Sequence, residues 1–273
     1  MRSRALDASP ARPSRRRGLR RLLGAAGVIA LALGAAACAG PRGTAGDAGH
    51  STLTVFAAAS LTDVFEQVNA DFEADHPGVR VVMTNAGSSD LVTQIDQGAP
   101  ADVLATADER TMARAQELGL TAEDPRPFAT NTLTIAVAPG NPRGITSLAD
   151  LTDPDLAVVR CAAPVPCGAV ADEVLADAGI PLVAVSEENS VTDVLGKVTS
   201  GQADAGLVYA TDVARSGGAA EAVTIPGAAA HATVYPIAVT DRAEDPELAA
   251  AYREAVLGPE GRAALGDAGF GPP

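Results

Sequence analysis

The sequence predicts an α/β protein with mainly parallel sheets. Short β-rich runs alternate with helical stretches along most of the chain, which is the pattern of strands linked through helices that cover the sheet faces. The turns that join them are built from Gly, Ala and Ser. About 220 residues follow the N-terminal leader and tether, enough for two modest lobes or one large domain. No internal repeat and no membrane-spanning run is evident in that body.

The elements follow in order. A strand over Leu53–Ala57 runs into a small-residue turn, and a helix over Leu61–Glu73 follows it, opened by Ser60-Leu-Thr-Asp63 in the form of a capping box. A strand over Val79–Thr84 leads through the Gly/Ser turn Asn85-Ala-Gly-Ser88-Ser89 into an amphipathic helix at Asp90–Gln97. Val103–Ala105 is the next strand and Glu109–Leu118 the next helix. Strands are then expected at Leu133–Ala138 and Ala157–Arg160, with Ala169–Ala178 as the helix after the latter. Leu182–Val185 reads as a strand and Val191–Thr199 as a helix, whose start, Ser190-Val-Thr-Asp193, is a second capping-box pattern. Gly206–Val208 and Val234–Val239 are the last strands, and Pro246–Val256 is the last helix.

Ahead of this body, residues 1–37 read as an export signal. Arg15, Arg16, Arg17, Arg20 and Arg21 form a basic segment, and Leu22–Ala37 follow without charge. At 16 residues that stretch is shorter than the roughly 20 a membrane span needs, and it suits a cleavable signal. Small residues before Cys38 resemble a lipobox, in which Cys38 becomes the lipidated first residue; Ala35 stands where Leu is usual, and ordinary cleavage nearby is the alternative. Ser14–Leu19 also resembles a twin-arginine signal. Residues 38–51 are a Gly/Ala/Thr/Pro tether.

Charge narrows the partners. The whole chain carries −14, but the first 37 residues hold eight Arg and one Asp, so the remainder bears −21. Such a body repels nucleic acid, and any anion it binds must be attracted locally. Cys161 and Cys167, six positions apart, read as a disulfide or as two unpaired small residues. His50, His76 and His231 are isolated and read as surface or loop residues.

The chemistry lies in the helix starts. An N-terminus offers unpaired N–H groups and the positive end of the helix dipole, so it holds anions without a charged side chain. Ser hydroxyls add donors that rotate toward an oxyanion. Taken singly, each Ser reads as the cap of its own helix; only the combination points to a ligand.

That combination resembles molybdate-binding proteins of ABC importers, the periplasmic or extracellular solute-binding proteins. The resemblance rests on Thr54-Val-Phe-Ala-Ala-Ala-Ser-Leu-Thr-Asp63, on Gln94-Ile-Asp-Gln-Gly-Ala-Pro-Ala-Asp-Val103 with Ala107-Asp108, on Gly206-Leu-Val-Tyr-Ala-Thr-Asp212, and on Tyr235-Pro-Ile-Ala-Val239. It runs from about residue 52 to about 270. It implies the type II periplasmic-binding-protein fold, two α/β lobes joined by crossover strands around a cleft, with 52–131 plus 236–273 as lobe 1 and 132–235 as lobe 2. It implies oxyanion ligands at Ser60, Ser88 (or its neighbour Ser89), the amides of Cys167 and Val191, and the hydroxyl of Tyr209, which otherwise reads as a packing aromatic. It implies no catalysis, no cofactor besides the molybdate or tungstate ligand, no metal held except through that oxyanion, a monomer, a membrane permease as partner, and an extracytoplasmic location, lipid-anchored or periplasmic.

Rival readings are a receptor of the same fold for sulfate or ferric iron, a secreted α/β hydrolase, and a scaffold. Ferric sites favour Tyr oxygens, and only Tyr209, Tyr235 and Tyr252 exist. No Gly-x-Ser-x-Gly elbow, phosphate-cradling Lys loop or metal-spaced His/Cys cluster marks an enzyme.

Overall fold

The structure, a computed structural model, describes residues 51–273. The export signal, Cys38 and the tether up to His50 lie outside the described residues. The described chain forms two sheets, each with its own helices, and so two α/β lobes; both sheets are mixed rather than mainly parallel, because the crossover strands run antiparallel to their neighbours.

The first sheet has strand order β2-β1-β3-β10-β4. Its strands are β1 (Ser51–Ala58), β2 (Val79–Ala86), β3 (Val103–Ala105), β4 (Arg126–Asn131) and β10 (Thr233–Val239). β1 pairs parallel with β2 and β3, while β10 runs antiparallel to β3 and β4. The second sheet has order β7-β6-β8-β5-β9, from β5 (Leu133–Val137), β6 (Val158–Cys161), β7 (Ser186–Glu188), β8 (Ala205–Tyr209) and β9 (Glu221–Thr224). The chain leaves the first sheet at Asn131, enters the second at Leu133, and re-enters the first at Thr233, which pairs with Asn131.

Helices α1 (Thr62–Asp75), α2 (Ser88–Asp96), α3 (Glu109–Glu117), α7 (Pro246–Leu257) and α8 (Pro259–Asp267) belong with the first sheet; α4 (Pro166–Ala178), α5 (Val191–Thr199) and the short α6 (Ala210–Ala214) belong with the second. With three tyrosines and five phenylalanines in the chain, small and β-branched side chains fill most of the core. The aromatic exception is in the first lobe, where Phe65, Phe72 and Tyr252 meet edge-on. There Tyr252 Oη donates to Asn69 Oδ1 at 2.6 Å.

Three expectations need correction. The run Leu182–Val185 is irregular, and the strand starts after it at Ser186, where the chain comes into register with Val159. Val183 and Val185 are left 86% and 64% exposed, so their apolar alternation has no face to pack on. β4 went unread because Pro127 interrupts it; proline is tolerated there because β4 is a sheet edge. Ser60 does not cap α1. It lies in a 3₁₀ turn (Ala59–Leu61), and the residue before the helix is Leu61, with no side-chain cap. Ser190 does cap α5, accepting from Asp193 N–H at 3.2 Å.

Candidate functional site

The parallel strands of both sheets deliver their following residues to one place. β1 ends into Ser60, β2 into Gly87 and Ser88, β3 into Ala107, β6 into the loop before Cys167, β7 into Val191, and β8 ends at Tyr209. This is where open α/β sheets place ligands. Ser60, Ser88, Cys167, Val191 and Tyr209 line a single cavity between the lobes, with Ala58, Ala59, Gly87, Ala107, Val165 and Pro166 completing the wall. No Lys, Arg, Asp or Glu side chain is among them.

Local geometry explains why each donor is free. Cys167 and Val191 are the second and first residues of α4 and α5, where an N–H has no acceptor within its own helix. Cys167 is held by a disulfide to Cys161, with the α-carbons 5.7 Å apart. The glycine after it is sterically required: a Cβ on Gly168 would lie 2.0 Å from the Ala162 carbonyl oxygen. Ser88 opens α2, and its Oγ accepts from Ala107 N–H at 3.0 Å, which leaves its proton for another partner. The neighbouring Ser89 is committed elsewhere, donating to the Pro164 carbonyl at 2.7 Å, so it is Ser88 that faces the cavity.

Tyr209 is the informative residue. It is 1% exposed, and among the described residues its Oη is the sole buried side-chain polar atom without a hydrogen-bond partner. An orphaned buried hydroxyl costs about 1–3 kcal/mol, so folded proteins rarely keep one without use. Burial, and next the neighbouring Tyr235, push its pKa well above the usual phenol value; the hydroxyl stays protonated and is a donor. Behind it, Asp212 accepts from Tyr209 N–H at 3.1 Å and pairs with Arg215 at 3.1 Å. Burial raises the Asp212 carboxyl to about 6 against the opposing pull of Arg215.

The space inside is small. The cavity volume is about 10 Å³. Pockets for organic ligands run to about 300–1,000 Å³. This one suits a single compact ion.

The lobes are in contact around it. Arg110 on α3 reaches the carbonyls of Ala163 and Pro164 at 3.4 and 3.3 Å, and Arg215 lies 3.7 Å from Asp63 across the cleft. Gly87 abuts the second lobe so closely that a Cβ would sit 2.0 Å from the Asn189 carbonyl oxygen.

A family model for bacterial extracellular solute-binding proteins matches residues 53–271. The chain belongs to that family. Among similar solute-binding proteins is the molybdate-binding protein ModA of Mycobacterium tuberculosis, 48% identical over 225 residues, spanning 82% of this chain and 86% of the relative. Among solved structures, the periplasmic molybdate-binding protein of Azotobacter vinelandii superposes with a TM-score of 0.67 at 22% identity, covering 81% of this chain and 99% of that one. The sulfate-binding protein SubI of M. tuberculosis superposes with a TM-score of 0.71 at 21% identity, covering 82% and 87%. At those identities the two structures establish the solute-binding-protein fold.

Sequence reasoning missed the groups behind the cavity. Ser60 Oγ lies 2.9 Å from Tyr235 Oη, which is followed by Asn131 and Thr211, all buried. Tyr235 and Asn131 sit on the two crossover strands and stand 104 positions apart. The Tyr235-Pro-Ile-Ala-Val239 stretch marked a strand, but nothing local tied its hydroxyl to Ser60.

Proposed function

We propose that the chain binds molybdate, and tungstate with it, outside the cell and delivers it to the membrane permease of an ABC importer. It is a binding protein, as its family is, and not an enzyme. The observation that supports the ligand is the Tyr209 hydroxyl, buried and unpartnered, on a residue that lines a small cavity together with two serines and two helix-start amides.

Two Ser hydroxyls, two helix-start amides and one phenol offer hydrogen bonds from both lobes to a doubly negative ion. The donors are uncharged, which suits a body whose net charge would otherwise repel the ligand. Lobe 1 supplies Ser60 and Ser88, and lobe 2 supplies Cys167, Val191 and Tyr209. Contacts from both sides stabilise the closed arrangement relative to an open one, and that difference is the signal a permease reads. An export signal with a lipidated Cys38 would hold the body, as a monomer on its tether, at the outer face of the cell membrane; ordinary cleavage would leave it free in a periplasm.

The donor set also bears on which ion. Hydrogen phosphate carries a proton, and no carboxylate lines the cavity to take it, a penalty of about 1–3 kcal/mol where the bond goes unmet. The 48% identity to a molybdate-binding protein favours molybdate over sulfate. Ferric iron is disfavoured because Tyr252 is held by Asn69 and Tyr235 by Ser60, which leaves Tyr209 as the one tyrosine lining the cavity. Calorimetric titration with molybdate, tungstate, sulfate and phosphate tests the proposal, with molybdate and tungstate expected to bind at least a hundredfold more tightly than phosphate. A Ser60→Ala, Tyr209→Phe double variant that bound molybdate unchanged would remove the site.

A further inference from the structure

The two serines of the cavity are held differently. Ser88 Oγ accepts from a backbone N–H, a donor that cannot reverse, so its proton is available to the ligand. Ser60 Oγ instead faces another hydroxyl, Tyr235 Oη at 2.9 Å, and either oxygen is able to donate. The direction is decided one step further back. Thr132 N–H donates to Asn131 Oδ1 at 3.0 Å, which fixes the orientation of the amide. Asn131 Nδ2 therefore faces Thr211 Oγ1 at 2.7 Å and Tyr235 Oη at 3.4 Å. An amide nitrogen only donates, so Tyr235 Oη accepts there and turns its own proton toward Ser60. Ser60 then accepts from Tyr235, which leaves its own proton for the cavity that it lines. Ser60, Tyr235, Asn131 and Thr211 are each 4% exposed or less, so water does not compete for these bonds.

We propose that Tyr235, oriented by Asn131, is a specificity-determining positioning residue: it commits the Ser60 proton to the ligand and so disfavours oxyanions that carry a proton of their own. The claim rests on the oxyanion reading of the cavity. It adds that rejection of a protonated ion is built into a hydrogen-bond chain spanning both crossover strands. Remove Tyr235 Oη, and Ser60 is free to rotate and accept from a ligand hydroxyl. The aromatic packing survives the change, because Phe keeps the ring that lies against Phe128 and Phe270 at centroid distances of 6.2 and 5.5 Å.

The test uses wild type, Tyr235→Phe, Ser60→Ala and the double variant, titrated with molybdate and with inorganic phosphate as competitor. Tyr235→Phe is expected to weaken molybdate about tenfold while leaving phosphate unchanged or tighter, so that the ratio of the two narrows at least tenfold. In the Ser60→Ala background the same substitution is expected to change molybdate affinity less than twofold, because Tyr235 acts through Ser60. A preserved ratio, or equal losses in both backgrounds, overturns the proposal and leaves the site reading standing. A wild type that binds none of the oxyanions overturns both. Asn131→Ala repeats the narrowing by a second route, and Asn131→Ala with an unchanged ratio refutes the direction assigned to the chain.

Discussion

Gly87→Ala separates closure of the two lobes from the stability of either. Gly87 precedes α2 with φ −58° and ψ 137°, a conformation alanine adopts freely, so the substitution does not strain its own backbone. What it meets is the other lobe: the new Cβ would sit 2.0 Å from the Asn189 carbonyl oxygen, and contacts under 3.0 Å are essentially never seen. The lobes must therefore part there by about 1 Å, which takes the 2.7 Å bond between Ser89 and Pro164 beyond hydrogen-bond length. An ion held by the first lobe then loses the amides of Cys167 and Val191. At about 1.5–3 kcal/mol for each hydrogen bond to a charged group, the loss is about 3–6 kcal/mol, a factor of about a hundred to ten thousand in affinity. Without ligand, melting should shift by only about 2–4 °C, since no more than about 1 kcal/mol is at stake in the helix start. Calorimetry with molybdate and a thermal scan of the ligand-free protein give both numbers. Binding by Gly87→Ala within threefold of wild type would refute the idea that this tight approach belongs to the ligand-holding state.

Other expectations follow from single residues. Tyr209→Phe removes a buried hydroxyl that has no partner in the absence of ligand, so the ligand-free variant should be equal to or about 1 kcal/mol more stable than wild type, yet bind molybdate at least tenfold more weakly; a loss of both stability and affinity would point to a packing role instead. Asp212 carries a folded-state pKa of about 6, raised from 3.8 by burial, so between those values the native state holds more protons than the unfolded chain and stability falls as pH rises. Asp212→Asn lacks that dependence, and its stability relative to wild type should climb by up to about 3 kcal/mol from pH 4 to pH 7 in denaturant titrations, whereas a flat difference would contradict the burial argument. Replacing Cys161 and Cys167 together by Ser should cost about 2 kcal/mol of stability through the short closed loop and weaken molybdate as well, because the Cys167 amide sits at the end of that loop. Stability loss with affinity unchanged would show that the loop keeps its shape without the bond.

Much of this protein was legible along the chain. The alternation of strand and helix determined the α/β class, because hydrophobic period and turn residues are local properties that survive without knowledge of the fold. Val103–Ala105 and Val191–Thr199 fall where the pattern placed them. The edge strands β4 and β9 escaped it, the first for its Pro127 and the second because Glu221–Thr224 is mostly exposed and shows no buried face. The cavity-lining residues were also nameable, because the family resemblance carried Ser60, Ser88, Cys167, Val191 and Tyr209 over by motif, whereas local pattern alone read each Ser as a cap.

Tertiary structure alone decided what each of those residues is free to do. Ser60 read as a cap, yet its hydroxyl is held by Tyr235, 175 positions away. Ser88 and Ser89 are equivalent in sequence, and only the opposing lobe, by taking Ser89 onto Pro164, separates their roles. The amino-acid sequence determined which donors exist and at which helix starts they stand. The fold determined which of them remain unpaired and where they point, because a hydrogen bond depends on distances between atoms that the order of residues does not contain.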